Sequence, residues 1–101
     1  AMADQLDDRF YERADAHIHL SNDQLDAASG QMVNASMIFA TARFNAWMSA
    51  SGFASGEAMA AKRDETIEYF VAGFRQMLEG NIDAYITNFD AYMKRDAASD
   101  E

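Results

Sequence analysis

The sequence predicts an all-α fold, read as a three-helix bundle with a long C-terminal helix that self-association completes. Three observations carry it. The 101 residues contain no proline and 20 alanines, with abundant Glu, Gln, Met and Arg, which is a helix-forming composition. β-branched residues are few: two Val, five Ile and three Thr. Large apolar side chains recur at spacings of three and four, the helical period. At this length the chain reads as a single helical domain over residues 1–101. Residues 1–3 read as a disordered start, Ala1 as a vector remnant and residues 96–101 as a frayed tail.

The first helix is expected from about Asp4 to Ala28. Phe10, Tyr11, Ala14, Ile18 and Leu25 fall on one face, with Asp8, Glu12, Asp15, His19 and Asp26 opposite and Asp23 at the edge. Asp4, Asp7 and Asp8 suit the positive end of the helix dipole. Ser21-Asn22-Asp23 is a polar cluster able to kink the helix. Ser29-Gly30 reads as its stop, with glycine in a left-handed C-cap.

The second helix is expected from Gln31 to Ala50. Between Ala27 and Gly56 the only charged residue is Arg43, among Met37, Ile38, Phe39, Phe44, Trp47 and Met48. Apolar residues around most of the circumference describe a central helix covered on most sides. The residues from Ser51 to Gly56 form a loop, with Ser55 as N-cap of the next helix and Glu57 in its first turn.

The third helix is expected from Glu57 to about Arg95. Its stripe steps through Ile67, Val71, Phe74, Leu78, Ile82, Tyr85, Phe89 and Met93, close to an eleven-residue repeat that holds one face of a straight helix. Gly80 is the soft spot, and a break there is the chief alternative. Such a helix would be about 58 Å long. A compact domain of this size has a radius of gyration near 13 Å, roughly by the usual size scaling, so the helix would overhang it. Tyr85, Ile86, Phe89 and Met93 would then need a cover, and a homodimer or higher homo-oligomer supplies one.

Composition excludes several functions. A net charge of −9 opposes nucleic-acid binding and docking to anionic lipid. Arg43, Asn34 and Asn45 make a membrane span through the second helix costly. Zero cysteine removes disulfides, thiolate catalysis and Cys-ligated metals. With no basic and apolar leader pattern at the N-terminus, a cytoplasmic location is expected.

The candidate site residues are few. Arg43 on an apolar helix calls for a carboxylate, either structurally, from Glu65, Glu68 or an acid of the first helix or a partner chain, or as part of an anion site. Asn45 is the other candidate binding residue, although it lies about 200° around the helix from Arg43. His17 sits near Phe10 and Ala14 and reads as partly buried. Asp15, His19 and Asp23, at four-residue spacing, form a face with the donor types for a divalent cation, a thin set of one histidine and two acids. The Glu-x-x-His pair of di-iron bundles is missing, as are a nucleophile elbow and a phosphate-cradling loop. No cofactor is expected. The tyrosines and phenylalanines of the third helix read as core packing rather than a ligand slot.

The run Val33-Asn-Ala-Ser-Met-Ile-Phe-Ala-Thr-Ala-Arg-Phe-Asn-Ala-Trp47 resembles the proteobacterial domain-of-unknown-function family 3144. Its most specific part is Arg43-Phe44-Asn45-Ala46. Phe10 to Asp15, Gln76 to Glu79 and Asn88 to Tyr92 are similar to the opening and close of that family, so the likeness covers roughly Phe10 to Met93. Gly80 departs from the family, where Glu or Asn is frequent. The resemblance implies a helical bacterial cytoplasmic protein and no assigned activity.

Three readings compete. The leading one is a non-enzymatic helical protein that self-associates and acts through protein contacts. The second is a small-molecule or metal-binding protein using Arg43 or the face of His19, Asp15 and Asp23. The third is a regulator whose acidic surface stands in for nucleic acid against a basic partner.

Overall fold

The computed structural model describes residues 7–94. The fold is all-α, and among the described residues there are five helices: α1 (Phe10–Gln24), α2 (Gly30–Ala50), α3 (Gly56–Ala61), α4 (Arg63–Thr87) and α5 (Phe89–Tyr92). The expected start at Asp4 and the expected tail from 96 onward lie outside the described residues. The chain divides into two compact units between Ala61 and Lys62.

In the first unit α1 begins at Phe10, after a turn in which the Asp7 carboxylate accepts the Arg9 backbone N–H at 3.1 Å and the Arg13 guanidinium at 3.0 Å. The hydrogen bond from Arg13 holds the Asp7 carboxyl below its ordinary value near 3.8. Ser21-Asn22-Asp23 does not break α1; the helix runs through it and ends at Gln24. There the pattern tightens, with Leu25, Asp26 and Ala27 donating to the carbonyls three residues back. Asp23 lies in a last turn with no basic residue, where an acid meets the negative end of the dipole. Ser29-Gly30 proves to be a start rather than a stop. The Ser29 hydroxyl accepts the Met32 N–H at 3.2 Å and caps α2, and no glycine among the described residues has positive φ.

α1 and α2 form a helical hairpin joined through Leu25–Ser29. Its buried centre is Val33, 6% exposed and the only buried residue among those described. Beside it the Ser21 hydroxyl donates to the Met37 sulfur at 3.1 Å, tying α1 to α2. Ser55 caps α3 as expected, accepting the Ala58 N–H at 3.1 Å.

The second unit consists of α4 and α5. The single helix expected from Glu57 to Arg95 is interrupted twice, at Lys62 (φ −111°, ψ 15°) and Asn88 (φ −111°, ψ 28°). The break does not come at Gly80, which α4 passes without interruption. Acids explain the first position: Asp64 and Glu65 fall in the first turn of α4, where the dipole favours them. At the second, the Ala84 carbonyl accepts both the Asn88 side-chain amide at 3.0 Å and the Asn88 backbone N–H at 2.9 Å. α4 is thus about 37 Å long rather than 58 Å, and the overhang argument from helix length falls away.

Three outcomes follow. A Cβ at Gly80 meets nothing within 4 Å, so Gly80→Ala should stabilise the chain by about 1 kcal/mol in thermal or urea denaturation. Ser29→Ala should cost about 1 kcal/mol through the lost cap, read the same way. The lowered Asp7 pKa means that this interaction is in place above the ordinary aspartate value and is lost as pH falls through the lowered one. An NMR titration should find Asp7 below the ordinary aspartate value, and Arg13→Gln should return it toward that value.

Candidate functional site

On α2, positions 32, 39, 43 and 47 fall within one quarter of the circumference at 100° per residue. Met32, Phe39, Arg43 and Trp47 therefore share a face, and all four are exposed, Phe39 at 61% and Trp47 at 64%. This corrects the expectation of a central helix covered on most sides. The apolar spread of α2 splits into one side that packs around Val33 and Met37 and another that faces outward.

Arg43 is exposed, contrary to the expectation of a buried salt bridge. Among the described residues no carboxylate lies within ion-pair distance of it; its guanidinium stands over the Phe39 ring, 5.0 Å from the centroid. The physical reason is simple. Burial without a partner costs several kcal/mol or more, whereas stacking on an exposed ring keeps the charge hydrated. Trp47 packs beside Phe44 with centroids 5.6 Å apart. Asn45 is half-buried on another side of α2, so the two candidate binding residues do not meet.

Asp15, His19 and Asp23 line an exposed face of α1. Asp15 and Asp23 are separated by about 12 Å of helical rise, too far for one ion. Among the described residues no group of three or more His, Asp or Glu side chains is placed to hold a metal. His17 is exposed rather than partly buried.

The second unit carries the longest apolar surface. Ile67, Val71, Phe74, Leu78, Ile82 and Tyr85 run along one face of α4, each about half-exposed. Tyr85, Ile86, Phe89 and Met93 continue it through the Asn88 joint, with Ile86 the most open at 68%. Tyr85 meets Tyr92 edge-on, centroids 4.8 Å apart, so the aromatic surface carries on from α4 into α5. No residue of α4 or α5 is buried. The stripe was legible in the sequence; the outward face of α2 was not. Its signal was the lone cation, which marks the side of an apolar helix that meets water.

The family model for proteins of unknown function, DUF3144, matches residues 10–86, most of the chain. The chain belongs to the DUF3144 family. It is also similar to a protein from Shewanella sp. solved by NMR, at 36% identity and a TM-score of 0.73, over 89% of this chain and 96% of that one. No curated protein matches it. The DUF3144 match takes in α1 to nearly the end of α4 and so includes the α2 face and most of the stripe. No helix among the described residues is long and apolar enough to cross a membrane.

Trp47 is the only tryptophan, which makes the α2 face visible spectroscopically. In dilute solution it should emit at the red, water-exposed end and be quenched by acrylamide nearly as freely as indole. Protected, blue-shifted emission under those conditions would contradict the exposed face.

Proposed function

We propose that this DUF3144 protein is non-enzymatic and works by self-association, with protein contact as its mode of action. One observation carries the reading: an apolar stripe that runs from Ile67 to Met93 without a single buried side chain. At about half-exposure, and with 150–250 Å² for a large aromatic, the stripe offers roughly 700 Å². A standard interface uses about 800 Å² per partner. Exposed apolar surface of that extent is unfavourable in water and marks an interaction site.

A second copy of the same chain is the simplest cover, because a two-fold axis brings one stripe against itself. Tyr85, Ile86, Phe89 and Met93 form the end of the stripe that such an axis would join. The chemistry of the exposed groups supports the non-enzymatic half of the reading. Arg43 and the divergent histidines supply no general base set against a nucleophile, and a catalytic site requires such convergence.

Light scattering at micromolar concentration should give twice the chain mass of 11.2 kDa or more. Ile86→Glu, which sets a charge in the stripe, should shift the protein toward monomer. A wild-type protein that stays monomeric into the high micromolar range would overturn the reading, as would turnover of a generic esterase, phosphatase or oxidoreductase substrate that survives repurification.

A further inference from the structure

The stripe on α4 has two unlike borders. On a wheel of 100° per residue, Ile67, Val71, Phe74, Leu78, Ile82 and Tyr85 fall within an arc of about 80°. Asp64, Glu68, Arg75 and Glu79 border that arc on one side. Phe70, Met77 and Asn81 border it on the other, with Arg63 at the helix start. Arg75 and Glu79 are exposed and 3.9 Å apart, at the edge of ion-pair range. A cation four residues before an acid is also the weaker order for such a pair, so both charges are loosely held.

Resting on the self-association reading, we propose that two α4 stripes pair antiparallel about a two-fold axis at Met77, with Arg75 of each copy against the partner's Glu79. The pairing involves only the second unit of each copy.

The borders decide the direction. A two-fold axis along the helices would set the charged border of one copy on the apolar border of the other. Glu68 and Arg75 would then meet Phe70 and Met77, and a charge pressed on apolar side chains loses water without gaining a partner. An axis perpendicular to the helices brings like borders together instead. Charge then meets charge, and the Phe70 and Met77 border meets its own counterpart.

Arg75, the one cation on the charged border, decides the register. Set against Glu79, it places the axis at Met77. Ile67 then lies opposite position 87 and Tyr85 opposite position 69, so all six apolar positions run along the other α4. Set against Glu68, Arg75 would leave Ile82 opposite position 61, before α4 begins, and would bring Asp64 against Glu79. Set against Asp64, it would leave even Leu78 opposite position 61. Only the Glu79 register joins full overlap to opposite charges, with two arginines and two glutamates alternating across the axis. It engages most of the stripe's roughly 700 Å². The Phe70 and Met77 border adds to that, toward the roughly 800 Å² per partner of a standard interface.

Charge variants of the full chain test the register, by sedimentation equilibrium at low ionic strength. Arg75→Glu alone should weaken dimerisation about tenfold or more, because four acids then meet at the axis. Glu79→Arg alone should do the same with four cations. An equimolar mixture restores both opposite-charge contacts and should recover a heterodimer within about threefold of the wild-type dissociation constant. Circular dichroism checks that each variant keeps its helices. Direction is read separately by cross-linking, since the chain has no cysteine of its own. The two Val71 positions lie about 18 Å apart along the antiparallel pair and face each other in a parallel one. Under mild oxidation Val71→Cys should therefore not link to itself, but should form a disulfide with an Ile82→Cys copy. Self-linked Val71→Cys dimers would overturn the pairing, as would absence of the link between positions 71 and 82. Single charge variants that dimerise like a dimeric wild type overturn it too, as do losses that the mixture does not repair. Self-association stands in each of these cases. If the charge variants lose helix, the cysteine pair decides. A wild-type monomer overturns both.

Discussion

Burial is the scarce quantity in this molecule, and most of its other features follow from that scarcity. The sequence carries seven phenylalanines, four tyrosines, seven methionines and a tryptophan, yet among the described residues only Val33 is buried. Short isolated helices are marginal in water, and in folded proteins their stability comes mainly from packing an apolar face. Here α1 and α2 share a narrow seam around Val33, and α4 carries its face unburied. The proposed self-association answers this constraint, because a second copy would bury apolar surface on the α4 stripe.

With so little core, local devices hold the elements in place. Ser29 and Ser55 cap α2 and α3, and Asp7 anchors the turn into α1. Each cap contributes about 1 kcal/mol, comparable to burying one methylene. The ion pairs do less. Arg9–Glu12, Lys62–Glu65 and Arg75–Glu79 are all exposed and span 3.6 to 3.9 Å, the class whose net worth is typically below about 1 kcal/mol. They set the surface character, and the net charge of −9 keeps acidic faces of neighbouring copies apart.

The helix joints show how side chains edit a periodic pattern. The stripe keeps its phase from Ile67 to Met93, and phase alone suggested one unbroken helix. The helix is interrupted at Asn88, and the acids at 64 and 65 favour a fresh N-terminus after Lys62. Gly73 and Gly80, the residues with the poorest helix propensity in the segment, leave no mark. A cost of about 1 kcal/mol at one position is absorbed by the intact hydrogen bonds on either side. Propensity at the glycines did not decide where the chain breaks.

The sequence by itself determined the helical class, the stripe on α4, the Ser55 cap and the Arg43-Phe44-Asn45-Ala46 block that marks the DUF3144 family. These depend on composition, local spacing and short-range hydrogen bonds, all of which are written along the chain. It also exposed the thinness of the Asp15, His19 and Asp23 set, which has one histidine and two acids. Only the tertiary structure decided which side of α2 faces outward. An apolar helix with residues all round its circumference has no face preferred by periodicity, so the choice passes to the packing of the Val33 and Met37 side against α1. That choice put Phe39, Arg43 and Trp47 in water together, and it turned Arg43 from an expected buried pair into an exposed cation stacked on Phe39.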